Sequence, residues 1–138
     1  MNKDIFSEEI IISYSSKVAA IIGLNEAIVL QYIHECLLKN KELGVCFRED
    51  KYWIAKSLKD WQKEVFIFWN VATVKRTFLK LQRMGILIGC KFKKNDFDHT
   101  KWYTIDYEEF DAIISGKLKN GAVALTLFVD VIAPSSFF

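Results

Sequence analysis

An α+β, mainly helical fold is what this sequence of 138 residues predicts, on three observations. Apolar residues recur three and four positions apart in several segments, each introduced by a Ser or Asn that can cap a helix. Between Ile86 and Ile105 the pattern changes to two β-prone runs on either side of a polar loop. With 51% hydrophobic and 26% charged residues, 6 Gly and a single Pro, the chain can bury a core and has little material for long irregular loops.

The elements follow in order. Glu9–Ser13 (EIIIS) is short and β-branched, and reads as an edge strand or an extended arm. Ser15 or Ser16 can cap a short helix carrying Val18, Ala19, Ile21 and Ile22, which Gly23 ends. Asn25 is a suitable cap for the next helix, whose apolar face (Ile28, Leu30, Ile33, Leu37, Leu38) continues to about Asn40. Val45 and Phe47, then Tyr52 and Ile54, alternate around the polar turn Arg48–Lys51 and predict a small hairpin. Ser57, with Asp60 at the capping-box position, opens a third helix with Leu58, Trp61 and Val65 inward. Asn70 opens a fourth, on which Val71, Val74, Phe78 and Leu81 face the core and Gly85 supplies the left-handed stop. Ile86–Phe92 and Trp102–Ile105 form a strand pair across a turn at 93–100, and Tyr107–Ser115 closes as a helix. Helix, helix, small strand, helix, helix, hairpin is the order of a winged helix-turn-helix with a β-hairpin wing.

Several function classes find no support. Cys36, Cys46 and Cys90 are odd in number and scattered, so reduced thiols are expected. His34 and Cys36, two apart on a helix, point to different faces and make poor metal ligands. No phosphate loop, nucleophile elbow, dinucleotide fingerprint or HExxH occurs, and neither His34 nor His99 has a matching nucleophile, so the chain is not read as an enzyme and no cofactor is expected. The start MNKDIFSEE has no signal-peptide pattern, and the longest apolar run, Gly121–Ala133, is short of the roughly 18–20 residues that span a bilayer and contains Asp130. A cytoplasmic protein with no membrane partner is the expectation.

Charge points to a partner. The net +2 conceals a concentration between Lys75 and Lys101, where 8 basic residues meet 2 acidic ones. The helix from Asn70 to Met84 has the character of a recognition helix, with Thr73, Lys75 and Arg76 nearest the bases or phosphates and Lys80 and Arg83 further along the helix, where they at most touch the DNA backbone. The wing adds Lys91, Lys93, Lys94, Asn95, His99 and Lys101, interrupted by Asp96 and Asp98, which repel phosphate. Five phosphate contacts, from Lys75, Arg76, Lys80, Lys93 and Lys94, predict a log–log salt slope of about −4 to −5. Trp53, Trp61, Trp69 and Trp102 fit the apolar faces of the elements and read as core; stacking platforms for single strands are the alternative.

Leu24–Leu37 (LNEAIVLQYIHECL), Phe68–Leu87 (FWNVATVKRTFLKLQRMGIL) and Asp98–Phe110 (DHTKWYTIDYEEF) together resemble the N-terminal winged-helix domain of phage and plasmid replication proteins of Gram-positive bacteria, relatives of the DnaD-type primosome and initiator proteins. KWYTIDYE is the most specific part. The resemblance covers roughly 9–115 and implies double-stranded DNA binding in DNA replication initiation, with Thr73, Lys75 and Arg76 in the recognition-helix slots and 93–101 as the wing. The alternative it implies is a protein-interaction or oligomerisation module that contacts replication proteins or forms a homodimer without touching DNA. Glu35 and Cys36 stand where the family often has an aromatic pair, and Ile67 where it commonly has Pro. Residues 1–115 are accordingly one winged-helix domain. Residues 116–138 are an apolar tail in which Val123, Leu125, Leu127, Val129 and Val131 alternate at strand period. An added strand, an interface between copies, and a truncated or frame-altered end all fit it, and it also has the profile of an aggregation-prone strand.

Overall fold

A computed structural model describes residues 10–92 and 100–117. The strand periodicity expected beyond Lys117, the wing-tip residues Lys93, Lys94 and His99, and Glu9 lie outside the described residues.

The chain is α+β and mainly helical. α1 (Ser16–Ile22) starts where Ser15 accepts the Val18 N–H, 3.2 Å away. No strand precedes it among the described residues. Ile10–Ser13 follows the arm alternative, with Ile12 packed on the core and Ser13 Oγ accepting from Gln31 Nε2 at 2.9 Å.

α2 (Leu24–Leu43) begins one residue after α1 ends, so Asn25 lies inside its first turn and is not its cap. The reason is Gly23. Its φ of +110° and ψ of 150° fall in a region nearly restricted to glycine. That conformation reverses the chain within a single residue and lets its carbonyl accept the Ala27 N–H at 2.9 Å. A Cβ on Gly23 would overlap Glu26 Oε1. Gly23→Ala is therefore expected to cost about 1–3 kcal/mol, read as a lower urea midpoint with unchanged slope; an unchanged midpoint would show that the junction relaxes freely. At the other end Gly44, at φ +68°, turns the chain so that the Val45 N–H reaches Asn40 O at 3.0 Å.

β1 (Phe47–Arg48) and β2 (Lys51–Tyr52) form the expected hairpin, turned by Glu49 and Asp50, both at positive φ. Ile54 does not belong to it. β3 (Ile54–Lys56) instead pairs with β5 (Lys101–Ile105), which also pairs antiparallel with β4 (Leu87–Cys90), giving the order β3-β5-β4. Pairing over such a separation is a tertiary choice that alternation alone does not reveal.

α3 (Leu58–Asp60) is a single turn capped by Ser57, whose Oγ accepts the Asp60 N–H at 3.1 Å. It widens into a π-turn over Trp61–Val65, closed by the Phe66 N–H donating to Trp61 O at 2.8 Å. The wide turn brings Trp61, Val65 and Phe66 inward together. α4 (Val71–Arg83) buries Val74, Thr77, Phe78 and Leu81. Val71, expected on that face, is 40% exposed because it sits on the flank of the stripe in the first turn. Gly85, at φ +82°, ends the helix region as expected. α5 (Tyr107–Lys117) is capped by Asp106, whose Oδ1 accepts the Glu109 N–H at 3.0 Å.

The core centres on α2, with Leu30 and Ile33 buried, and on the inner faces of α4, α5 and the three-stranded sheet. A ring cluster joins them: Trp61 lies 5.5 Å from Phe78, and Phe78 lies 5.0 Å from Tyr103. Trp53 and Trp61 are core residues, which removes them as stacking platforms; Trp69 is half-buried with its ring stacked on Phe66. Among the described residues no helix is long and apolar enough to cross a membrane.

Candidate nucleic-acid interface

α4 owes its position to its two ends and its inner face. Asn70 Oδ1 accepts the Thr73 N–H at 2.8 Å and fixes the start. The Val74–Phe78–Leu81 stripe seats the helix against the core, which turns Ala72, Lys75, Arg76, Lys80 and Arg83 outward. Lys80 and Arg83 lie in the last turn, where cations oppose the negative end of the helix dipole.

The structure places the site residues expected from sequence in different settings. Thr73, Lys75 and Arg76 stand together at the leading half of α4, with Arg76 Nη2 donating to Thr73 Oγ1 at 3.2 Å. Thr73 is half-buried, and its carbonyl accepts from the Thr77 hydroxyl at 2.8 Å. Lys80 is half-exposed but engaged: its Nζ is 3.4 Å from Oε1 of Glu26, a side chain only 10% exposed. That carboxylate, in the first turn of α2, offsets much of the Lys80 charge at the surface. Lys101, on β5, is half-buried, with its Nζ 5.8 Å from the centre of the Tyr103 ring. A Cβ on Gly89 would lie 2.8 Å from Gln82 Nε2 and 3.3 Å from Lys101 Cε, so β4 approaches closely enough there to bring Lys101 beside the end of α4. Lys93 and Lys94 lie outside the described residues. Lys91 is exposed beyond the end of β4.

Sequence reasoning missed several features of this surface. Nothing local marks Glu26, in the first turn of α2, as the partner of Lys80, 54 positions away. Gln82 gave no signal at all. The turn before α4 exposes two apolar residues, Ile67 (68%) and Phe68 (54%).

Elsewhere the chemistry is quiet. His34 is fully buried with its Nδ1 2.6 Å from the Tyr107 hydroxyl, and burial lowers its pKa from 6.5 to about 4. Burial likewise pushes the Cys36 thiol up, away from nucleophilic character. Among the described residues no cluster of His, Cys, Asp or Glu is placed to hold a metal ion. A cavity of about 560 Å³ opens between the end of α2, the β1–β2 hairpin and the β5–α5 junction, with Leu37, Phe47, Tyr52 and Ile105 in its wall.

Comparison of the chain with protein-family models, with curated proteins and with solved structures found no match.

Proposed function

We propose that this chain is a DNA-binding module of the winged helix-turn-helix type, which presents α4 to the major groove of double-stranded DNA. The observation that carries the reading is the two-sided character of α4: a buried apolar stripe behind, and Lys75, Arg76, Lys80 and Arg83 exposed in front. The element order supports it. α2, β3, α3 with its π-turn, α4 and the β4–β5 hairpin succeed one another as the parts of a winged helix do. An α-helix about 10–12 Å across fits the major groove, about 12 Å wide. Replication initiation in a phage or plasmid rests on the resemblance of residues 24–37, 68–87 and 98–110. No cofactor enters the proposal.

The test is a mobility-shift titration with duplex DNA over a salt series. Lys75→Ala/Arg76→Ala is expected to weaken binding at least about tenfold at low salt and to reduce the salt slope by about 2. Both side chains are exposed, so the variant's thermal unfolding should match the parent's. Lys80, already paired with Glu26, should move the slope less than either.

A second reading, a protein-interaction or oligomerisation module, is favoured by one observation. Leu43, Val45 and Phe47 are 64%, 44% and 52% exposed at the end of α2 and the start of the hairpin. Absence of any shift at low salt, together with a dimer in light scattering, would replace the first reading by this one.

A further inference from the structure

We infer that Ile67, Phe68 and Val71 form an apolar reading edge that contacts the C5-methyl groups of thymines, so that the module prefers T-bearing duplex sites; the inference rests on the DNA-binding reading of α4. The three residues are 68%, 54% and 40% exposed and occupy the turn into α4 and its first residue. This edge is held firmly. Behind Phe68 stand the buried ring of Phe66, 6.3 Å away, and the half-buried ring of Trp69, 4.9 Å away. The turn is pinned by the Trp69 N–H donating to Phe66 O at 3.1 Å and by Gln62 Nε2 donating to Trp69 O at 3.0 Å. A supported ring loses little freedom on contact, so its apolar area converts efficiently into affinity.

The surroundings select the occupant. Val71 and Lys75 are four apart on one helix face, as are Ala72 and Arg76, so cations follow the apolar edge along α4. Lys63 is exposed on the π-turn just ahead of it, and the neighbouring carboxylate of Glu64 is neutralised by Lys56, whose Nζ lies 2.6 Å from Glu64 Oε1. An apolar edge flanked by positive charge complements a surface with a few apolar groups set between phosphates. Among the groups that base pairs present in the major groove, the thymine methyl is the apolar one. Lys75 and Arg76 would hold the phosphates while Phe68 and Ile67 met methyls.

The experiment compares binding to a T-rich duplex with binding to the same duplex in which deoxyuridine replaces every thymine. The substitution removes only the methyl groups. The parent protein is expected to lose about fourfold in affinity for each methyl contacted. Phe68→Ala and, separately, the more exposed Ile67→Ala should bind the two duplexes with a reduced difference while keeping the salt slope, and each variant's thermal unfolding is checked against the parent. Equal binding of both duplexes by the parent overturns the inference and leaves the DNA-binding reading standing. Binding to neither overturns both. An equal, weak response to both duplexes, with a change of oligomeric state in Phe68→Ala, assigns the edge to an interface between copies and likewise overturns it.

Discussion

Phe78→Ala is expected to destabilise the fold by about 3–5 kcal/mol, the range for removing a fully buried phenyl ring. Phe78 is 1% exposed on the inner face of α4. Its ring centre lies among three other rings: 5.5 Å from Trp61 on the π-turn, 6.3 Å from Phe66 at the turn that follows, and 5.0 Å from Tyr103 on β5. Three aromatic neighbours cannot collapse into the space, because Trp61 and Phe66 are held by the closed π-turn and Tyr103 by β5, and each packs edge-on or tilted against Phe78. The cavity should therefore persist, and the cost should sit towards the upper part of that range. Against a typical total of about 5–15 kcal/mol, such a loss leaves the domain marginal. Urea unfolding followed by tryptophan fluorescence measures it directly, since Trp61 lies against the site. The control is Lys75→Ala, on the opposite face of the same helix, expected within about 0.5 kcal/mol of the parent. A Phe78→Ala loss below about 1 kcal/mol would mean that α4 is not anchored through this cluster.

That contrast between the two faces of α4 was legible in the sequence, and the reason is local. Asn70 as cap, the Val74–Phe78–Leu81 spacing and Gly85 at positive φ are all decided within one or two helical turns. Ser15 and Ser57 were readable on the same grounds, whereas α2 runs on to Leu43 and the left-handed Gly44, past the end expected at about Asn40. What the sequence hid depends on distant partners. Nothing near Ile54 says that its strand pairs with Tyr103 and not with the hairpin before it. The π-turn at Trp61–Val65 keeps an apolar pattern that an α-helix would also show, so the widening is invisible until Trp61, Val65 and Phe66 are seen packed together. Val71 continues the apolar spacing of α4 yet stays 40% exposed, because spacing gives a direction and not the extent of the core. The same limit applied to the candidate interface. Lys75 and Arg76 were identified from charge, but charge alone could not reveal that Lys80 is paired with Glu26, or that the residues ahead of the helix present apolar surface between cations.

Acid should weaken the fold in part through His34. Its side chain is fully buried on α2, with Nδ1 2.6 Å from the hydroxyl of Tyr107 at the start of α5. The Tyr107 O–H can donate to the neutral ring, whereas a protonated ring has no lone pair to offer it. Burial disfavours the charged imidazolium and takes the pKa from 6.5 to about 4. The sign follows from proton counting. Between the two values the unfolded chain binds a proton that the folded protein does not, so stability rises with pH in that window. The contribution is fully present above about 6.5, is lost as pH falls, and changes no further below about 4. Its full size is about 3 kcal/mol. Measuring urea midpoints near neutrality and again close to the folded-state pKa gives the parent's loss, which also contains the carboxylates. Asp111, whose pKa burial raises, acts in the opposite direction over part of the range. His34→Gln separates the terms: it keeps an amide able to meet the Tyr107 hydroxyl but takes up no proton. The stability difference between parent and His34→Gln should therefore shrink by about 2–3 kcal/mol on acidification, as the parent alone loses the imidazole contribution. Parallel pH profiles for the two proteins would show that His34 does not titrate between its folded and unfolded values, and that the α2–α5 junction admits the charged ring.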